Sequence, residues 1–134
     1  MGLNDATEYI PIKPTYAPRI FSSFSPDMAE DFPLINSKNY MAIRDYVFDD
    51  NDSSYEAGPV WINGDIAKKI IQEYQKYQEK TECLLVHCTQ GKNRSPTVAM
   101  VFNDVFNLGY SSQELKEKYN AFNRHTYKTL MDSA

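Results

Sequence analysis

Cysteine is scarce in this chain, and the scarcity is informative. There are only two, Cys83 and Cys88. On an extended strand they would stand roughly 16 Å apart, at ~3.3 Å per residue. A disulfide needs Cα atoms within about 7 Å, so a bridge between them is not expected. A disulfide scaffold is excluded, and two free thiols point to a reducing, cytoplasmic compartment. Histidine is scarcer than in a metal protein, with two residues. His87, Cys83 and Cys88 fall short of the four ligands of a structural zinc site, so no metal and no cofactor is expected. No apolar stretch is long enough to span a bilayer, and no signal peptide is visible. Gly2 is in position for myristoylation, but Ala6 stands where that motif requires Ser or Thr.

Positive charge is also in deficit. Fourteen Lys and Arg face eighteen Asp and Glu, for a net charge of -4. No basic tract is present, which argues against a general affinity for nucleic acid or anionic membrane. An anion site in such a chain must be local. The 134 residues suit a single domain, 1–134, with enough length to bury a core unaided.

The residues that are plentiful organise the chain. Prolines punctuate the first quarter, where short strands are expected around Glu8–Ile12 and Arg19–Phe24 and a helical turn near Asp27–Asp31. YMAIRDYVF, residues 40–48, is aromatic and β-branched and reads as a strand. DDNDSS ends it with turn formers. From Asn63 or Asp65 a helix runs to about Lys80, with Ile66, Ile70, Tyr74 and Tyr77 on one stripe. Glu82–His87 is a short strand buried on both sides. Ser95–Leu108 is a helix that is apolar around much of its girth, stopped by Gly109. Ser111 with Glu114 opens another helix as a capping box, and Asn123 caps a last one through Met131. Alternation of this kind predicts an α/β fold with a mainly parallel central sheet flanked by helices. Ligands in such folds sit beyond the carboxyl ends of the strands, and Cys88 is at that end.

The loop after that strand carries the chemistry. It reads HCTQGKNRS, residues 87–95. Gly91 allows it to curl, so that the backbone N–H groups of Thr89, Gln90, Gly91, Lys92, Asn93 and Arg94 turn inward. They join the unsatisfied N–H groups and positive dipole end of the next helix. The result is a cup for a tetrahedral dianion. The Arg94 fork can bind two phosphate oxygens at once. Cys88 at the base of the cup lies in a positive field that lowers a thiol pKa and prepares it to attack phosphorus. Ser95 is placed to hydrogen-bond the sulfur as it leaves, and His87 to hold the loop rather than to act as a base. A nucleotide P-loop is excluded, because its Gly-x4-Gly-Lys-[Ser/Thr] pattern is absent.

His-Cys-x2-Gly-x2-Arg-Ser resembles the signature of the protein tyrosine phosphatase superfamily, and His87, Cys88, Gly91, Arg94 and Ser95 match its fixed positions. The small size is similar to its dual-specificity branch. NRHTYKTL, at the C-terminus, resembles the tail of small prokaryotic and phage-type members. The resemblance covers residues 40–108 and, more loosely, that tail. It implies Cys88 as nucleophile, Arg94 as phosphate-binding arginine, and residues 89–94 as anion cradle. It also implies phosphotyrosine as substrate, with phosphoserine and phosphothreonine as further ones.

Expulsion of the leaving group needs a general acid from a separate loop. DYVFDDNDS offers Asp49, Asp50 and Asp52. If Tyr46 and Phe48 face the core, Asp50 continues on their side and Asp49 points away. Asp50 is therefore the first candidate and Asp52 the second. SSYEAGPVWING reads as an insertion that shapes the pocket wall through Tyr55 or Trp61, with Trp61 itself expected in the core. Asn123 reads as a helix cap in preference to a brace for the catalytic loops. Competing functions are an RNA 5′-triphosphatase, for which the signature is close but the acidic surface and Ser95 are unfavourable, and a phosphoinositide phosphatase, for which Lys92 would serve. A rhodanese-type sulfurtransferase does not account for Gly91, Arg94 and Ser95. A phosphate-binding pseudophosphatase does not account for the intact Cys88 and Arg94.

Overall fold

The computed structural model describes residues 1–23, 27–49 and 61–134. Its elements run α1 (Leu3–Glu8), β1 (Thr15–Phe21), α2 (Met28–Asp31), β2 (Tyr40–Val47), α3 (Gly64–Tyr77), β3 (Cys83–Leu84), α4 (Arg94–Phe106), α5 (Ser112–Lys118) and α6 (Arg124–Ser133). The three strands form a parallel sheet in the order β2-β1-β3. This is the expected α/β architecture with helices on both faces.

β1 is the central strand and lies in register with β2 from Tyr16↔Ala42 to Phe21↔Val47. On one face Tyr16, Ile20, Ala42, Tyr46 and Phe48 pack against Ile70, Ile71 and Tyr74 of α3, Val98, Val101 and Phe102 of α4, and Leu130 of α6. Tyr74 and Phe102 stack with ring centroids 4.3 Å apart, a contact worth about 1 kcal/mol beyond its buried area. On the other face Ala17 and Leu85 meet Ala6 of α1 and Leu34. The girth of α4 is buried as its composition predicts, since it is covered by the sheet, α3 and α6.

Two early strands differ from expectation. Residues 8–12 do not form a strand; α1 ends at Glu8 and the chain continues irregularly. Leu3 and Ala6, three apart, bury one face of a helix too short to register as a periodic pattern. The second strand begins earlier than expected, at Thr15, and carries Pro18 in its middle. Leu85 N–H donates to Tyr16 O and His87 N–H to Pro18 O. The bond between those two, from residue 18 N–H to Leu85 O, is the one proline cannot make. This explains why β3 is only Cys83–Leu84 rather than the full Glu82–His87, with pairing resuming at Arg19↔His87.

Helix ends follow the cap chemistry. Asn63 Oδ1 accepts from Ile66 N–H at 2.9 Å and Ser111 Oγ from Glu114 N–H at 3.3 Å. α4 stops one residue pair earlier than Gly109 would stop it. Asn107 takes the left-handed conformation, φ 54°, and Gly109 (φ 99°) shapes the turn that follows.

Candidate active site

β3 and its continuation carry Leu85, Val86 and His87 through the core and deliver Cys88 at the carboxyl end of the sheet. The loop then curls back on its own sulfur. Gly91 adopts φ 75° and its N–H donates to Cys88 Sγ at 3.2 Å. Ser95 Oγ lies 3.3 Å from the same sulfur. Only glycine serves at position 91, because a Cβ there would also meet Gly2 N at 2.6 Å. The N-terminal segment packs against the loop: Met1 O accepts from Cys88 N–H at 3.2 Å, and Leu3 N–H donates to Thr89 O at 3.0 Å.

Arg94 opens α4 and is buried. Its Nη1 donates to Ser22 Oγ and to Phe48 O, both at 3.0 Å. The Nε and Nη2 atoms have no partner among the described residues. A fork held by one nitrogen and open at the other two suits an oxyanion with paired oxygens. Thr89, Gln90 and Lys92 are exposed around the loop.

The thiol responds to these surroundings. Burial raises the Cys88 pKa, but the Ser95 hydroxyl and N–H, the Gly91 N–H and the Arg94 charge together outweigh it. The thiol is held below its ordinary value. His87 behaves oppositely. It is fully buried, and burial pushes its pKa down to about 4 against the pull of the Cys88 carbonyl. It is neutral near pH 7, consistent with a loop-holding role.

No protein-family model matches the chain, and no curated protein does. Solved structures do. Tk-PTP in its active form superposes with a TM-score of 0.54 at 15% identity, over 98% of this chain and 85% of that one. The human tyrosine phosphatase-like serine/threonine/tyrosine-interacting protein gives 0.50 at 13% identity, over 88% and 74%. PTPMT1 in complex with PI(5)P gives 0.50 at 18% identity, over 89% and 75%. The chain has the fold of the protein tyrosine phosphatase superfamily.

Within that phosphatase fold, His87, Cys88, Gly91, Arg94 and Ser95 come together as the motif predicts. The acid candidates divide. Asp50 and Asp52 lie outside the described residues, as does Tyr55. Tyr46 and Phe48 do face the core, but Asp49 does not point away into solvent. It is buried, with Ser23 N–H donating to Oδ1 at 2.8 Å and Ser23 Oγ to Oδ2. Trp61, expected in the core, is 52% exposed and meets His125 edge-on at 6.2 Å. Its polar N–H makes such a position less costly than it is for Phe. Asn123 both caps α6, through Oδ1 to Thr126 N–H at 3.0 Å, and reaches the first turn of α4, through its N–H to Thr97 Oγ1 at 2.9 Å.

Sequence reasoning did not find Ser22 or Arg19, both of which touch signature residues. Neither belongs to a motif. The only local signal is their place at the carboxyl end of a strand, where phosphatase-fold loops converge.

Proposed function

We propose that this protein is a cysteine-dependent phosphatase that hydrolyses phosphotyrosine, and phosphoserine and phosphothreonine as well, through a phosphocysteine intermediate. The observation that carries the reading is the buried Cys88 sulfur, which accepts from Gly91 N–H at 3.2 Å and lies 3.3 Å from Ser95 Oγ, to which its thiol donates. Arg94 binds two phosphate oxygens through Nε and Nη2. The thiolate attacks phosphorus; the S–P bond forms as the ester P–O bond breaks. Asp50, with Asp52 as second choice, gives its proton to the leaving oxygen. Water then attacks phosphorus, Asp50 takes its proton, and the sulfur departs as thiolate with a hydrogen bond from Ser95. No metal enters these steps. The free state of both cysteines supports a cytoplasmic setting.

A second reading, a phosphoinositide headgroup, is favoured by the exposed Lys92 beside the cup and by the PI(5)P-bound structure among the similar folds. The test is hydrolysis of an aryl phosphate in EDTA by wild type and Cys88→Ser, followed by a panel of phosphopeptides, phosphoinositides and triphosphate RNA. Loss of activity in Cys88→Ser with phosphopeptide preferred is expected. Activity surviving Cys88→Ser would overturn the mechanism, and preference for triphosphate RNA the substrate class.

A further inference from the structure

Arg19 is a cation on the central strand, 3% exposed, with no ion pair among the described residues. Burying such a charge is costly unless every donor is used. Here each of the three guanidinium nitrogens donates once, to backbone or ring atoms. Nη1 donates to Ala29 O at 3.3 Å and Nη2 to Phe32 O, and the guanidinium lies 4.8 Å over the Phe21 ring. Nε donates to His87 Nε2 at 2.8 Å. The other imidazole nitrogen, Nδ1, faces Cys88 O at 3.3 Å.

We propose that Arg19 is a positioning residue for the phosphate cup, selecting the His87 tautomer that pins the Cys88 carbonyl. The proposal rests on the phosphatase reading of that cup. A guanidinium donates and never accepts, so His87 Nε2 must present its lone pair. The neutral ring then carries its proton on Nδ1, which donates to the Cys88 carbonyl. That carbonyl belongs to the peptide whose N–H, on Thr89, is the first of the cradle. With its oxygen held toward His87, the N–H points the opposite way within the peptide plane, away from the ring.

The opposite tautomer would turn a lone pair toward the Cys88 carbonyl and leave two acceptors face to face. The imidazolium is disfavoured as well. The ring is held between the Arg19 guanidinium from β1 and the Phe21 ring, edge-on at 5.7 Å, and the Met1 amino group, bonded to Val86 O and Ser95 Oγ, adds a further positive charge nearby. No carboxylate faces it among the described residues. Arg19 therefore works twice, by donating to Nε2 and by repelling a second ring proton. A displacement of about 1 Å in a reacting group can cost on the order of 10²-fold in rate.

The chain has two histidines, so the ring protons can be assigned by long-range 15N–1H correlation spectra. Wild-type His87 is expected as the Nδ1–H form from about pH 5 to 8, without an imidazole ionisation in the pH–rate profile. Arg19→Met is expected to shift the ring toward Nε2–H, to add an ionisation below pH 7, and to lower kcat/KM for an aryl phosphate by about 10²-fold. Arg19→Lys, which keeps a donor, restores part of both. Wild-type His87 in the Nε2–H form overturns the proposal, and so does Arg19→Met with lower stability but unaltered tautomer and pH profile. If Arg19→Met does not fold, the wild-type tautomer decides. These spectra need no substrate, so an inactive wild type would sink the phosphatase reading and leave the tautomer result standing.

Discussion

Arg94 Nη1 and the Phe48 carbonyl are 3.0 Å apart, which ties the arginine of the cup to the end of β2, where the acid candidates begin. The same nitrogen reaches Ser22 at the end of β1. Three strand ends thus share one guanidinium, because β3 delivers the loop from which it comes. The anchor holds one edge of the fork and sets the direction of the other, which fixes a long side chain in one orientation.

Removal of one anchor tests this arrangement. Ser22→Ala leaves Phe48 O as the only partner of Nη1 among the described residues. Hydrogen bonds to charged groups contribute about 1.5–3 kcal/mol, and part of that loss is expected to appear as weaker anion binding. The inhibition constant of inorganic phosphate should rise by roughly ten-fold, with KM rising more than kcat falls. An unchanged constant would show that Ser22 has no part in positioning Arg94.

The three acidic residues should separate by leaving group. Asp50→Ala is expected to lower kcat by about 10²–10⁴-fold on an alkyl phosphate, the range of general acid catalysis, and much less on a nitrophenyl ester. Asp49→Ala instead removes the partner of Ser23 N–H and Oγ, and should lower stability by about 1–3 kcal/mol, read from urea denaturation. Impairment confined to Asp52→Ala would move the acid to that residue.

Gly91→Ala combines two penalties. The residue has φ 75°, and the new methyl would meet Gly2 N at 2.6 Å and Met1 C at 2.7 Å. Strain of this type costs on the order of 1–3 kcal/mol. Melting should fall by several degrees and phosphate affinity should fall with it, since the Gly91 N–H would leave the sulfur. Retained affinity would mean that the cup does not need this turn.

Cys88 supplies a pH dependence. Its thiol titrates below the ordinary value in the folded chain, with burial opposing and Ser95, Gly91 and Arg94 prevailing. Between that folded pKa and about 8.5, the unfolded chain binds more protons. Stability from this group is therefore complete above about 8.5 and is lost as pH falls through the folded pKa. Alkylation by iodoacetamide should show an inflection below that of a free thiol, and Ser95→Ala should raise it. An inflection at or above the free-thiol value would contradict the environment described for the sulfur.

Local residue order was sufficient for the motif and for most caps. HCTQGKNRS lies on one strand–loop–helix, so its geometry follows from neighbours in sequence. Asn63, Ser111 and Asn123 cap helices because their side chains reach N–H groups three residues on. Periodicity failed where elements are short or interrupted. α1 offers two buried residues, and β1 holds a proline that only a gap in the β3 ladder can accommodate.

The sequence by itself determined the make-up of the proposed cup: a cysteine, a glycine able to curl the loop, an arginine and a serine at fixed spacing. What only the tertiary structure decided is what holds that cup in place. Ser22 and Phe48 meet Arg94 across 72 and 46 residues of chain. Arg19 meets His87 across 68. Such pairs carry no local signal, because parallel strands adjacent in the sheet are joined by long crossovers. Their side chains become neighbours only when the sheet closes its register and brings its carboxyl ends together.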